Sequence, residues 1–213
     1  MIFRNLHRII KSYRLFIVKI IFFELFYFFR GFKGNKFNFS KNLTMADNIP
    51  CPYYFLKRIK FFLINNEFKT FVDMGCGSGR TIDFFNRSFK SKKYLGIEYF
   101  SSNYEYCKNI FKDKNNIKII NEDFTKFDIE KYDADCYFFN CPFKNPSDII
   151  EILNKIINLR LKKRKTIFIF VNISDKIIKL VNHIKCVDNF TINEQSNLPT
   201  QQRSYSIYSL NIQ

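Results

Sequence analysis

Tryptophan is absent from the 213 residues, alanine occurs only at Ala46 and Ala134, and histidine only at His7 and His183. Two distant histidines support neither a Ser/His/Asp triad nor a two-histidine metal site. The cysteines, Cys51, Cys76, Cys107, Cys136, Cys141 and Cys186, contain no CxxC pair and no regular spacing. That argues against zinc and for free thiols in a reducing cytosol. No uninterrupted apolar run reaches the ~20 residues of a spanning helix. Lys19 and Glu24 break the N-terminal stretch, which also lacks the small-residue cleavage site of a signal peptide. The expected location is the cytoplasm, with the membrane periphery as the alternative.

What is present is phenylalanine, 28 residues of it, in a chain that is 19% aromatic. Abundant Phe, Lys, Asn and Ile beside scarce Ala is the bias of an A/T-rich genome, so part of the composition is mutational. The same bias tempers the net charge of +16, which nevertheless fits a polyanionic partner. Residues 1–41 hold nine Lys or Arg and the single acid Glu24, a net +8. The length suits one α/β domain with an appendage.

From about Leu6 to Arg30 the sequence reads as one helix. Steps of 100° put Arg4, Arg8, Lys11, Arg14, Lys19 and Arg30 within a sector of about 160°, with Glu24 alone among the charges on the apolar side. This helix (residues 1–34) either packs on the domain, lies against an anionic membrane interface or nucleic acid, or spans the membrane. A polar, turn-rich linker over 35–49 follows, and Pro50-Cys-Pro52 opens a helix to about Asn65 within the main domain, 50–213. Strands are expected at Thr70–Met74, Tyr94–Glu98, Ile117–Ile120, Cys136–Phe139 and Thr166–Asn172, each followed by a helix-compatible segment, which predicts βαβ alternation and a parallel sheet. Stretches around Cys186–Ile192 and Ser204–Asn211 suggest a closing hairpin and bring the strands to seven. The basic run Arg160–Lys165 reads as a solvated helix end, with nucleic-acid contact as the sharper alternative.

A short apolar strand runs into Asp73-Met-Gly75-Cys-Gly77-Ser-Gly79, where glycines let the chain turn tightly and a ligand approach the backbone. The third glycine comes one position too early for a nicotinamide fingerprint, and no GK[ST] follows, which excludes a Walker A loop. The second strand ends in Glu98, 25 residues after Asp73, a spacing at which a carboxylate bonds ribose hydroxyls. The third strand runs into Asp123-Phe124, a polar and apolar pair suited to a nucleobase.

This order of motifs resembles the class I, Rossmann-like methyltransferases from roughly Asn48 to the C-terminus. The resemblance implies a mostly parallel seven-stranded sheet with helices on both faces, here preceded by the amphipathic helix, and S-adenosyl-L-methionine as cofactor. It implies that Asp73 with the loop Gly75, Cys76, Gly77 and Gly79 holds the methionine end, that Glu98 binds ribose, and that Asp123 and Phe124 flank adenine. The fourth strand ends in Asn140-Cys141-Pro142-Phe143, which looks like the [DNS]-P-P-[YFW] motif of amino-group methyltransferases with Cys141 in place of the first proline. By that likeness Asn140 and the following backbone accept from a target nitrogen and Phe143 packs on a planar substrate. Asn140, Pro142 and Phe143 are thus the expected catalytic group, beside Asn140's contact with cofactor. A second likeness is to small bacterial methyltransferases related to the seven-strand lysine methyltransferases, which share the Gly-rich motif, an N-P-F motif and a Pro-rich helix entry. The expected activity is methyl transfer to an amino or amide nitrogen of protein or nucleic acid, without a metal. Oxygen methylation of a lipid or small molecule at a membrane, and a non-catalytic binding module, are the competing readings.

Overall fold

The computed structural model describes residues 18–35, 50–123, 126, 128–140, 146–160, 166–173, 178, 181, 184–192 and 203–210. The N-terminal helix α1 covers residues 18–29. It is followed by α2 (Tyr53–Ile64), β1 (Thr70–Met74), α3 (Arg80–Ser88), β2 (Lys93–Glu98), α4 (Ser101–Ile110), β3 (Ile117–Asn121), β4 (Cys136–Asn140), α5 (Pro146–Arg160), β5 (Ile167–Val171), β6 (Ile184–Ile192) and β7 (Arg203–Leu210). The strands form one sheet in the order β3-β2-β1-β4-β5-β7-β6. The first five run parallel, and β7 lies antiparallel between β5 and β6. This is a Rossmann-like, mostly parallel seven-stranded sheet with helices on both faces.

Strand periodicity divides the core. Phe71, Cys136, Phe138, Ile167, Ile169 and Val171 face one layer, closed by α2, α3 and α4 with Phe23 and Tyr27 of α1. Val72, Met74, Tyr137, Phe139, Phe168 and Phe170 face the other, with Ile149, Ile152, Leu153 and Ile156 of α5. Cross-strand rings stack on this second face, Tyr137 on Phe168 at 5.8 Å and Phe139 on Phe170 at 5.3 Å. Such pairs add to the free energy of burial alone. Much of the aromatic excess is therefore core, whatever mutational bias supplied it.

Of the three roles weighed for the N-terminal helix, packing on the domain is observed over its described turns. Glu24 explains its place among apolar residues: one carboxylate oxygen accepts from the Tyr53 N–H at the start of α2 (2.9 Å), and the other pairs with Arg80 at 2.8 Å. A carboxylate at a helix N-terminus satisfies an orphan amide and complements the dipole. The expected helix after β3 is not found: the described residues between Asn121 and Cys136 form turns and bends. Arg160 also departs from the expected solvated run. It is 5% exposed, pairs with Asp133 at 2.6 Å and donates to Thr166 Oγ1 at 2.9 Å. The rest of that run, 161–165, lies outside the described residues.

Candidate active site

The parallel strands all end on one side of the sheet, and the predicted ligand loop leaves β1 there. The Gly75 and Cys76 N–H groups both donate to the Ile97 carbonyl, at 3.0 and 2.9 Å, tying the loop to the end of β2. The Gly77 N–H reaches Glu98 Oε2 at 2.7 Å, and the Gly79 N–H closes a turn onto the Cys76 carbonyl at 2.8 Å. Gly79 precedes the first residue of α3 with φ 81°, and a Cβ there would stand 2.7 Å from the Phe111 ring. Both backbone and space therefore require glycine. The Cys76 side chain is turned into the sheet, close enough to β2 that a Cβ on Gly96 would lie 2.8 Å from its Sγ.

Asp73 and Glu98 form the acidic floor. Asp73 is 1% exposed and takes a hydrogen bond from the Thr81 side chain, but its Oδ2 has no partner. Burial, then the neighbouring Glu98 charge, push its carboxyl well above the usual range. Glu98 is also raised, by burial first, although the Phe100, Gly77, Asn103 and Tyr99 groups that donate to it favour the anion. A buried acceptor with no donor costs stability unless something occupies it. Beside a glycine loop and the N-terminus of α3, that orphan oxygen fits the ammonium of an amino-acid moiety. The orphan oxygen and the loop fit the methionine end of S-adenosylmethionine, and Glu98 stands beside them with its carboxylate bonded by the Gly77 and Phe100 N–H groups.

At the end of β3, Asn121 holds the β2–α4 turn rather than a ligand, its Nδ2 donating to the Glu98 and Tyr99 carbonyls at 2.8 and 2.9 Å. Asp123 is partly buried two residues beyond it, and its carbonyl accepts from the Lys126 N–H at 2.9 Å. Asn140 closes β4, beside β1, with Phe139 paired to Met74 and Asn140 itself paired to Val171 of β5. Asp73, the loop, Glu98, Asp123 and Asn140 thus share the carboxyl-end side of the sheet. Phe124, Cys141, Pro142 and Phe143 lie outside the described residues.

The segment 31–35, placed at the end of the expected helix and the start of the linker, leaves the helix and straps the start of α3. The Gly34 carbonyl accepts from Ser78 Oγ at 2.7 Å, the Lys33 N–H donates to Asp83 Oδ2 at 2.8 Å, and Arg87 Nη2 donates to the Gly31 carbonyl at 2.8 Å. Arg80 lies beneath it with its guanidinium 4.4 Å from the centre of the Tyr53 ring and 3.2 Å from the Cys51 carbonyl. Ser78, Arg80, Asn103 and Gly96 brace this corner of the sheet, and no sequence motif singles them out. The only signals were an arginine just after the glycines and a lone acid, Glu24, on an apolar helix face.

Residues 71–164 match the family described as a methyltransferase domain. Among solved structures, the chain is similar to the N-methyltransferase NodS from Bradyrhizobium japonicum WM9 in complex with S-adenosyl-L-homocysteine. The identity is 10%, the cover 74% of this chain and 85% of that one, and the TM-score 0.58. It is similar to a precorrin-6y C5,15-methyltransferase from Geobacter metallireducens GS-15 at 12% identity, with cover of 83% and 95% and a TM-score of 0.56. A third likeness is to the StiE O-MT, at 13% identity with cover of 75% and 74% and a TM-score of 0.56. No curated protein matches the sequence. Residues 71–164 thus carry a methyltransferase domain within a class I, Rossmann-like methyltransferase fold, and S-adenosylmethionine is the cofactor that the site fits. Neighbours named for nitrogen, carbon and oxygen targets leave the acceptor atom open.

Proposed function

We propose that this methyltransferase acts on an amino or amide nitrogen of a protein or nucleic acid. The observation that carries the reading is Asn140, a side chain that both accepts and donates hydrogen bonds, at the carboxyl end of the strand next to β1. The resemblance of Asn140-Cys141-Pro142-Phe143 to an amino-methyltransferase motif supports the same assignment.

S-adenosylmethionine, when bound, supplies a methyl group made electrophilic by its sulfonium. The protein's part is placement: the Asn140 carbonyl accepts from the target N–H and aims the nitrogen lone pair, while Asp73 and Glu98 fix the other reactant. The nitrogen–methyl bond forms as the sulfur–methyl bond breaks, and the nitrogen's surplus proton leaves to solvent.

Incubation with methyl-labelled S-adenosylmethionine and fractionated cell extract tests the reading. Label is expected in protein or nucleic acid and should survive mild base, which cleaves methyl esters. Asn140→Ala should lower transfer roughly 100-fold, far more than it lowers cofactor affinity. Label confined to lipid, or lost in base, overturns a nitrogen target.

A further inference from the structure

Helix α1 packs with an unusual polarity. Its inner face is mixed: Glu24 binds α2 and Arg80, the Tyr27 ring lies 4.8 Å from Tyr53 and 5.3 Å from Phe84, and Phe23 meets Tyr54 at 5.8 Å. Its outer arc is wholly apolar. Val18, Ile21, Phe22, Leu25 and Phe28 are about half exposed or more, and Phe29 is 80% exposed. Turning 100° per residue, these side chains form one continuous stripe. A helix laid on a soluble domain ordinarily turns its charges outward, and a contiguous apolar surface of this kind marks an interaction site.

We infer that the outer face of α1 docks on a lipid bilayer bearing anionic head groups. Charge selects that occupant. Lys19 and Arg30 lie along one border of the stripe, Arg4, Arg8, Lys11 and Arg14 precede it in sequence, and residues 1–23 contain no acid. An apolar stripe bordered by cations is the composition of a helix lying in a membrane interface. No helix among the described residues is long and apolar enough to cross a membrane, so the contact is one of lying on the surface. A second copy would bring two chains of net charge +16 face to face. A nucleic acid would find hydrocarbon where it needs cations. Through the Glu24–Arg80 pair the docked helix would hold the glycine loop close to the membrane plane.

The test is flotation of the full chain with vesicles of phosphatidylcholine alone or mixed with phosphatidylglycerol. The parent should float with the anionic vesicles and detach as salt is raised. The double variant Phe22→Ser, Phe29→Ser keeps every charge and changes only outward side chains. It should lose roughly tenfold or more in partitioning, with thermal unfolding and S-adenosylmethionine affinity unchanged. Lys19→Gln with Arg30→Gln should weaken binding to anionic vesicles alone. Failure of the parent to float, equal flotation of the phenylalanine variant, or a dimer in sedimentation that this variant dissociates would each overturn the inference.

Discussion

Glu24 of α1 and Arg80, the first residue of α3, form a 2.8 Å ion pair across 56 positions of sequence. Arg80 is 4% exposed and Glu24 about one third exposed, so the pair keeps some contact with water while Arg80 itself does not. The pair joins the N-terminal helix to the residue that follows the glycine loop.

Removing the charge at Glu24 tests that joint. Glu24→Gln leaves an oxygen to accept from the Tyr53 N–H but leaves Arg80 without its counter-ion. A loss of about 1–3 kcal/mol is expected, below the full cost of an unpaired buried charge because Glu24 is partly solvated. Denaturant unfolding measures it. An unchanged midpoint would show that the Cys51 carbonyl and the Tyr53 ring suffice for Arg80.

Asp73 predicts a pH dependence with a definite sign. Because its folded carboxyl titrates above the unfolded value, its contribution to stability is present below the unfolded value, ~3.9. That contribution fades as pH rises through the folded value. A bound ammonium favours the carboxylate, so S-adenosylmethionine should bind more tightly as pH rises through that range and should release a proton on binding. Calorimetry in buffers of different ionisation enthalpy measures the proton. In Asp73→Asn the release should vanish and affinity fall roughly 10- to 100-fold, while the unliganded protein is no less stable at neutral pH.

Gly34 makes the closest approach of the N-terminal strap. It has φ +78°, and a Cβ there would lie 2.2 Å from the Arg80 backbone nitrogen. Side-chain rotation cannot relieve a clash with backbone. Gly34→Ala should therefore lift the strap from α3, at a cost of about 1–2 kcal/mol for the left-handed backbone alone. Faster amide exchange at Lys33, whose N–H is bonded to Asp83, would report it, with the protection of β1 and β4 kept.

Arg160→Met separates structure from surface charge in the basic run. The guanidinium is buried against Asp133 and Thr166, so its loss should cost about 2–3 kcal/mol in thermal unfolding. Any affinity of the chain for RNA should be unchanged, since this side chain does not face outward. A fall in RNA affinity with stability intact would contradict the burial.

The central strands were legible as short apolar runs bounded by polar or turn-forming residues, and β6 and β7 as mixed stretches of β-branched and aromatic residues with no helical period. Edges differ by one or two residues, as at Lys93 and Ile184. The loop was legible because glycine spacing is local. Glu24, Gly34 and Arg80 were not, since their meaning lies in contacts that no local pattern encodes. Helix capping by a residue of another helix, as Glu24 does for Tyr53, leaves no motif next to the helix it caps. Arg160 was misread for the same reason, its partner Asp133 lying in a loop 27 residues earlier.

The strand order also bears on how the chain assembles during synthesis. The outer edge of β5 is covered by β7, and β6, made earlier, pairs only with β7. Until residues 203–210 leave the ribosome, both the apolar edge of β5 and the whole of β6 must wait without a partner. For that interval the nascent protein carries an open sheet edge of the kind that invites pairing with other chains. The pace at which β7 is made therefore bears on solubility in the cell, beside the stability of the finished sheet.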